Sequence, residues 1–245
     1  MYIFKEKAMQ TIIYWSPADM DLYHDWSILY KDPTILGKDL KKKMSKDLDK
    51  TSNLFFCPAV KDLTNRIAVI KSPMTCHYKI IDNEFKPFSK NFLNISFPHT
   101  SNFENNIMFQ LSSSYIFFSE EDVKMTLTSP YFSNSPHLKY GSIIPGTFNI
   151  STWFRNMNFE VNLWNNVKEF KILKNEDIAY IHFDTNHEIK LVRFDFNERL
   201  LRIAKTCSTS GTWEKFIPLI DRYKRFKEAK FKKIILKEIE QNIID

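Results

Sequence analysis

Between about residues 53 and 196, apolar and polar positions alternate with a period close to two. That is the spacing of strands with one face buried. Segments 66–71 and 77–81 are β-branched, apolar and bounded by Asn, Ser and Pro, as strands are. Segment 11–15 reads as a further short strand. Segments 107–111 and 115–119 flank Ser112, Ser113 and Ser114, which predicts a hairpin. Segment 123–128 alternates cleanly and stops at Ser129-Pro130. Four more strands are predicted at 159–163, 169–173, 178–184 and 189–194. Thr185, Asn186, His187 and Glu188 supply a hairpin turn between the last two. Residues 131–146 are turn-rich and read as a long loop or crossover.

After Phe196 the period changes. Residues 197–206 predict a helix carrying Leu200, Leu201, Ile203 and Ala204, and residues 207–211 a loop. Thr212 predicts the cap of a second helix, which Pro218 ends or kinks. Phe216, Leu219, Ile220 and Tyr223 recur at helical spacing, and Ile234, Ile235 and Ile239 continue an apolar face. Ten or more short strands without βαβ alternation predict a mainly β protein. The expected form is an antiparallel sandwich or jelly-roll-like body at 1–196, with a helical segment at 197–245 docked on it (α+β).

Composition supports a folded, well-cored chain: 22 Phe, 10 Tyr and 5 Trp in 245 residues. Each buried aromatic removes roughly 150–250 Å² from water. Three widely spaced cysteines argue against a disulfide framework and for a reducing, cytoplasmic setting (host cytoplasm, if viral). No apolar run approaches the length of a membrane span, and no secretory signal is visible. The net charge of +6 is uneven. Residues 199–245 hold 12 Lys and Arg against 6 Asp and Glu, which leaves 23 of each sign in the first 198. A second basic run, at 38–50, holds six Lys and three Asp and reads as a surface helix or a loop.

Glycines stand only at 37, 141, 146 and 211. Phosphate loops need glycine so that the backbone can approach the anion, so P-loop, Rossmann and kinase chemistry are excluded. There is no CxxC for a zinc ribbon and no GxSxG elbow for a hydrolase. Strand periodicity puts His182 and Asp184 on one face, which suits two ligands of a metal-dependent oxygenase. The sole later histidine is His187, in the adjacent turn, so the order of ligands is wrong for that fold. A polar strand end is the competing reading, and no cofactor is expected. Cys76 and His77 are adjacent on a strand, point to opposite faces and cannot form a dyad.

The strongest positive feature is the tail, where Arg222, Lys224, Arg225, Lys227, Lys230, Lys232 and Lys233 interleave with Tyr223, Phe226 and Phe231. These basics suit a nucleic acid, an acidic partner or a membrane surface; on a helix the aromatics fall on a docking face, and the competing reading is an ordinary solvated amphipathic helix. Tyr131, His137 and Tyr140 mark the 131–146 loop as a second candidate surface.

The stretches Met125-Thr-Leu-Thr-Ser-Pro-Tyr131, Ile144-Pro-Gly-Thr-Phe-Asn-Ile150 and Trp153-Phe-Arg155 resemble an uncharacterised family. It occurs in marine tailed phages, notably cyanophage myoviruses, and in bacteria. Met157-Asn-Phe-Glu-Val161, Glu176-Asp-Ile-Ala-Tyr-Ile-His-Phe-Asp-Thr185, Phe56-Cys-Pro-Ala59 and segment 65–70 are similar to it as well. The resemblance covers most of residues 11–195 and lends no catalytic residues. It implies a phage-related origin and a compact β-domain. The expected function is that of a non-enzymatic accessory protein recognising a host or viral protein. The alternatives are nucleic-acid binding through the tail and an oxygenase at His182 and Asp184.

Overall fold

A computed structural model describes residues 10–17, 29–44, 57–81, 84–87, 107–113, 115–207 and 218–244. The described chain is mainly β, with short helices near the start and a helical C-terminal segment. Strand β1 (Gln10–Pro17) lies at the centre of a three-stranded sheet. It runs parallel to β14 (Glu188–Arg193) and antiparallel to β7 (Tyr115–Phe118). Alternation splits this sheet's side chains between two clusters. Ile13, Trp15, Tyr115 and Phe117 enter the main core, while Tyr14, Ile116 and Phe118 turn to the opposite face.

The second sheet is antiparallel, in the order β10-β8-β13-β3-β2. Its strands are β2 (Thr34–Ile35), β3 (Ile67–Lys71), β8 (Lys124–Thr128), β10 (Gly146–Asn149) and β13 (Asp177–Asp184). Ala68, Ile70, Met125, Leu127, Ala179 and Ile181 face the main core. Ile67, Val69 and Tyr180 face outward, and helix α1 (Leu36–Met44) covers them with Leu36 and Leu40. Helix α2 (Pro58–Thr64) leads into β3, with Pro58 at its first turn, where the missing N–H costs nothing.

Two smaller antiparallel sheets close the main core. One has β11 (Asn158–Leu163) between β6 (Met108–Ser112) and β9 (Gly141–Ile143). The other has β4 (Cys76–Ile81) between β5 (Glu84–Pro87) and β12 (Glu169–Ile172). All four sheets are open, and their inward faces meet in one shared core, as in a sandwich.

The outer face of the β1 sheet is covered by the C-terminal helices α3 (Glu198–Cys207), α4 (Leu219–Glu228) and α5 (Phe231–Gln241). Asn197 caps α3 by accepting the Leu200 N–H at 2.8 Å. Glu238 is buried on α5 and accepts from Arg199 Nη1 (2.7 Å) and Asn197 Nδ2 (2.9 Å). Residues 242–244 then join the sheet: Asp195 N–H donates to Asn242 O, and Ile244 N–H to Arg193 O.

Three local expectations are corrected, and for the 38–50 run one of two alternatives holds. β6 and β7 do not form a hairpin: β6 pairs with β11, and β7 with β1. At the corner between them, Ser113 N–H donates to Met157 O and Met157 N–H to Tyr115 O, so one strand start serves both sheets. Thr185 to Glu188 carries the chain from one sheet to another, because β14 finds its partner in β1 rather than in β13. Within the 38–50 run, residues 38–44 are helical; the rest of that run lies outside the described residues. The basic tail is not one helix: Lys230 adopts φ 56° and separates α4 from α5. The predicted cap Thr212 and Phe216 lie outside the described residues.

Candidate functional site

Helix α1 has an amphipathic stripe. Leu36 and Leu40, four residues apart, go inward, and Lys38, Lys41 and Lys42 are left exposed. They line an open groove together with residues of the edge strands β2 and β14. Lys61 from α2, Lys71 from the end of β3 and Lys190 from β14 complete the walls of this groove of about 900 Å³. Its floor includes Ile35, Ile189 and Leu191. Six lysines share this groove with two carboxylates, Asp39 and Glu188.

The lysines are not equivalent. Lys71 is ion-paired with Asp177, whose side chain is buried. Lys38, Lys41, Lys61 and Lys190 have no ion-pair partner among the described residues. A concave surface with an excess of positive charge over an apolar floor concentrates field lines and raises the local concentration of anions. The arrangement offers point charges and an apolar floor. Its described lining residues include no histidine, cysteine or aromatic side chain.

The residues singled out in the sequence are placed as follows. His182 is half-buried on β13, with Nε2 at 3.3 Å from Thr128 Oγ1 and 3.2 Å from the Tyr131 hydroxyl. Burial holds its imidazole below the usual histidine range. Asp184 is exposed and stands opposite Lys124 in the ladder. Among the described residues no three His, Cys, Asp or Glu side chains converge as a metal site would require.

Within the 131–146 loop, Tyr131 is exposed and packs edge-on against Tyr180 as well as beside His182. His137 is buried: its backbone N–H and its Nδ1–H both donate to Glu176 Oε1 at 2.8 Å. Glu176 Oε2 accepts from Leu173 N–H at 2.7 Å. Tyr140 is buried too, and its hydroxyl donates to Glu169 Oε1 at 2.9 Å; His77 Nε2 lies 3.0 Å from Glu169 Oε2. Two of the three candidate surface residues are therefore anchors that pin the loop.

The tail basics divide between two helices. Arg222 is half-buried, Lys224 pairs with Asp221 at 3.0 Å, and Arg225 lines a largely apolar cavity of about 240 Å³ with Cys207, Tyr223, Phe226 and Phe231. Tyr223 stacks on Trp153 with ring centroids 4.6 Å apart, so this aromatic is a docking contact. Lys227, Lys230 and Lys233 are exposed, and Lys232 is partly covered. Burial pushes the Cys76 thiol up to about 11 and that of Cys207 up to about 12, so both are protonated, unreactive thiols at neutral pH.

Lys61, Lys71 and Lys190 were invisible as site residues in the sequence. The Lys-rich run at 38–50 was a signal, but its convergence with β3 and β14 is a property of the fold. Comparison of this chain with protein-family models, curated proteins and solved structures gave no match.

Proposed function

We propose that this protein is a non-enzymatic recognition module that binds an acidic protein surface through the groove between α1 and β14. The observation that carries this is the gathering of six lysines around one concavity, four of them without an ion-pair partner among the described residues. The sequence resemblance of residues 11–195 to tailed-phage proteins supports an accessory protein acting on a host or viral partner. A tail-centred nucleic-acid interface is less well supported. Its basics lie on two helices broken at Lys230, and Lys224 already has an acidic partner. An oxygenase at His182 and Asp184 would need a third ligand, and among the described residues no such cluster forms.

The test is fluorescence anisotropy with a labelled acidic peptide, such as a run of eight glutamates, at several ionic strengths. Binding should weaken steeply with salt, because exposed charges are screened over about 8 Å at physiological ionic strength. Reversing Lys38, Lys41 and Lys190 together (each →Glu) should weaken it at least tenfold. No binding at low salt, or equal binding by the triple variant, would sink the proposal.

A further inference from the structure

The groove has a second property besides charge: the outer edge of a β-strand lines it. β14 is the end strand of its sheet, bonded on one side to β1. Phe194 N–H donates inward to Trp15 O, whereas Arg193 O accepts outward from Ile244 N–H, and Asp195 N–H donates outward to Asn242 O. Backbone direction alternates along an extended strand. Ile189 and Leu191, four and two residues before Arg193, therefore aim their N–H and C=O groups outward too. Both residues line the groove. Among the described residues no strand pairs with this stretch of the edge.

The same edge already accepts an extended segment further along. Phe194 and Ile243 form an antiparallel bridge, so residues 242–244 act as a short added strand where the groove ends. Before that point Glu188, Ile189, Lys190 and Leu191, about 13 Å of strand, line the groove, and among the described residues no strand pairs with their outer side. Unpaired edges invite association, and proteins guard them with charge, lysine above all. Lys190 stands on this edge, and Lys38 and Lys41 face it from α1. Such a guard repels another copy of this edge, which carries the same lysine, and favours an acidic strand.

We infer that the groove takes an extended acidic peptide segment, which adds to β14 as an edge strand through the backbone groups of Ile189 and Leu191 while its carboxylates meet Lys38, Lys41 and Lys190. Main-chain hydrogen bonds supply the register, and side chains on alternate positions supply the selectivity. This rests on the acidic-partner reading above and specifies the conformation of the bound segment.

The probe is a capped peptide of alternating Asp and Val, eight residues long, with two modified forms. One is N-methylated at every Val and the other at every Asp; both keep the full charge. Strand addition uses alternate amides along one side of the peptide. One methylated form should therefore lose at least tenfold in affinity while the other binds nearly as well as the parent. The Ile189 and Leu191 amides, read by hydrogen–deuterium exchange, should slow at least tenfold when the parent peptide is added. Equal binding by both methylated forms, with those two amides unchanged, overturns strand addition and leaves the charge-based reading standing. Binding of a thymidine dodecamer in place of the peptide, lost when Lys38, Lys41 and Lys190 are reversed, overturns it in favour of a nucleic acid. Failure of every probe at low salt overturns both readings together.

Discussion

Glu176 shows how one buried side chain can organise a loop that reads as surface in the sequence. Its carboxylate accepts from the backbone N–H and ring of His137 and from Leu173 N–H, which ties the 131–146 crossover to the turn before β13. Removing the carboxylate would leave buried donors unpaired, at a cost of about 1–3 kcal/mol. Glu176→Ala should destabilise the protein by that amount in urea titrations, whereas Tyr131→Ala, at an exposed position, should cost far less. His182 makes a different residue-level prediction. Burial lowers its folded-state value below the ordinary 6.5, so the unfolded chain takes up the proton first. Its contribution is complete above pH 6.5 and is lost as the pH falls from 6.5 through the depressed folded value. The stability difference between wild type and His182→Gln should therefore change across that window and be constant above it. A constant difference at all pH values would contradict the burial of a neutral ring. His137 and Tyr140 read as surface in the sequence because proline- and serine-rich sequence signals a loop without saying what the loop packs on.

At the scale of elements, two backbone positions are decisive. Gly141 opens β9, and a Cβ built there would lie 2.4 Å from Asn162 O and 3.0 Å from Leu163 Cα on β11. The obstacle is backbone, which cannot swing aside, so Gly141→Ala should cost about 1–3 kcal/mol through overpacking and loosen the β9–β11 ladder. Thermal unfolding measures this directly, and an unchanged midpoint would show that the two strands can part freely. Lys230 turns the chain between α4 and α5 at φ 56°, a conformation glycine adopts without penalty. Lys230→Gly should raise stability by about 0.5–1 kcal/mol, the αL relief being partly offset by the entropy of glycine in the unfolded chain. Most strands were legible because each carries a period-two pattern: β8 alternates exposed and buried residues, and β11 nearly so. Their partners were not. The serines between β6 and β7 and the turn between β13 and β14 look like hairpins, because local turn chemistry cannot report a jump between sheets. The parallel pairing of β1 with β14 is set by residues more than 170 positions apart, beyond any local pattern.

At the scale of the molecule, the sequence separates a neutral body from a basic tail, yet net charge per segment is not the potential at a surface. In the body, acidic side chains such as Asp177 and Glu176 are buried and engaged internally, while the lysines of α1, α2 and β14 gather on one side. In the tail, Lys224 is neutralised by Asp221, Arg199 is bound to Glu238, and the remaining described basics spread over three helices. Association rates respond to the summed field a partner meets on approach, not to segment totals. Two triple charge reversals separate these pictures while making the same change in net charge. Lys38, Lys41 and Lys190, each changed to Glu, should cut the association rate of an acidic peptide at least tenfold at low salt. Lys227, Lys230 and Lys233, changed in the same way, should lower it far less. Stopped-flow measurement at two ionic strengths decides the matter: equal losses from both variants would mean that total charge governs the encounter, and a larger loss from the tail variant would move the interface to the C-terminal helices.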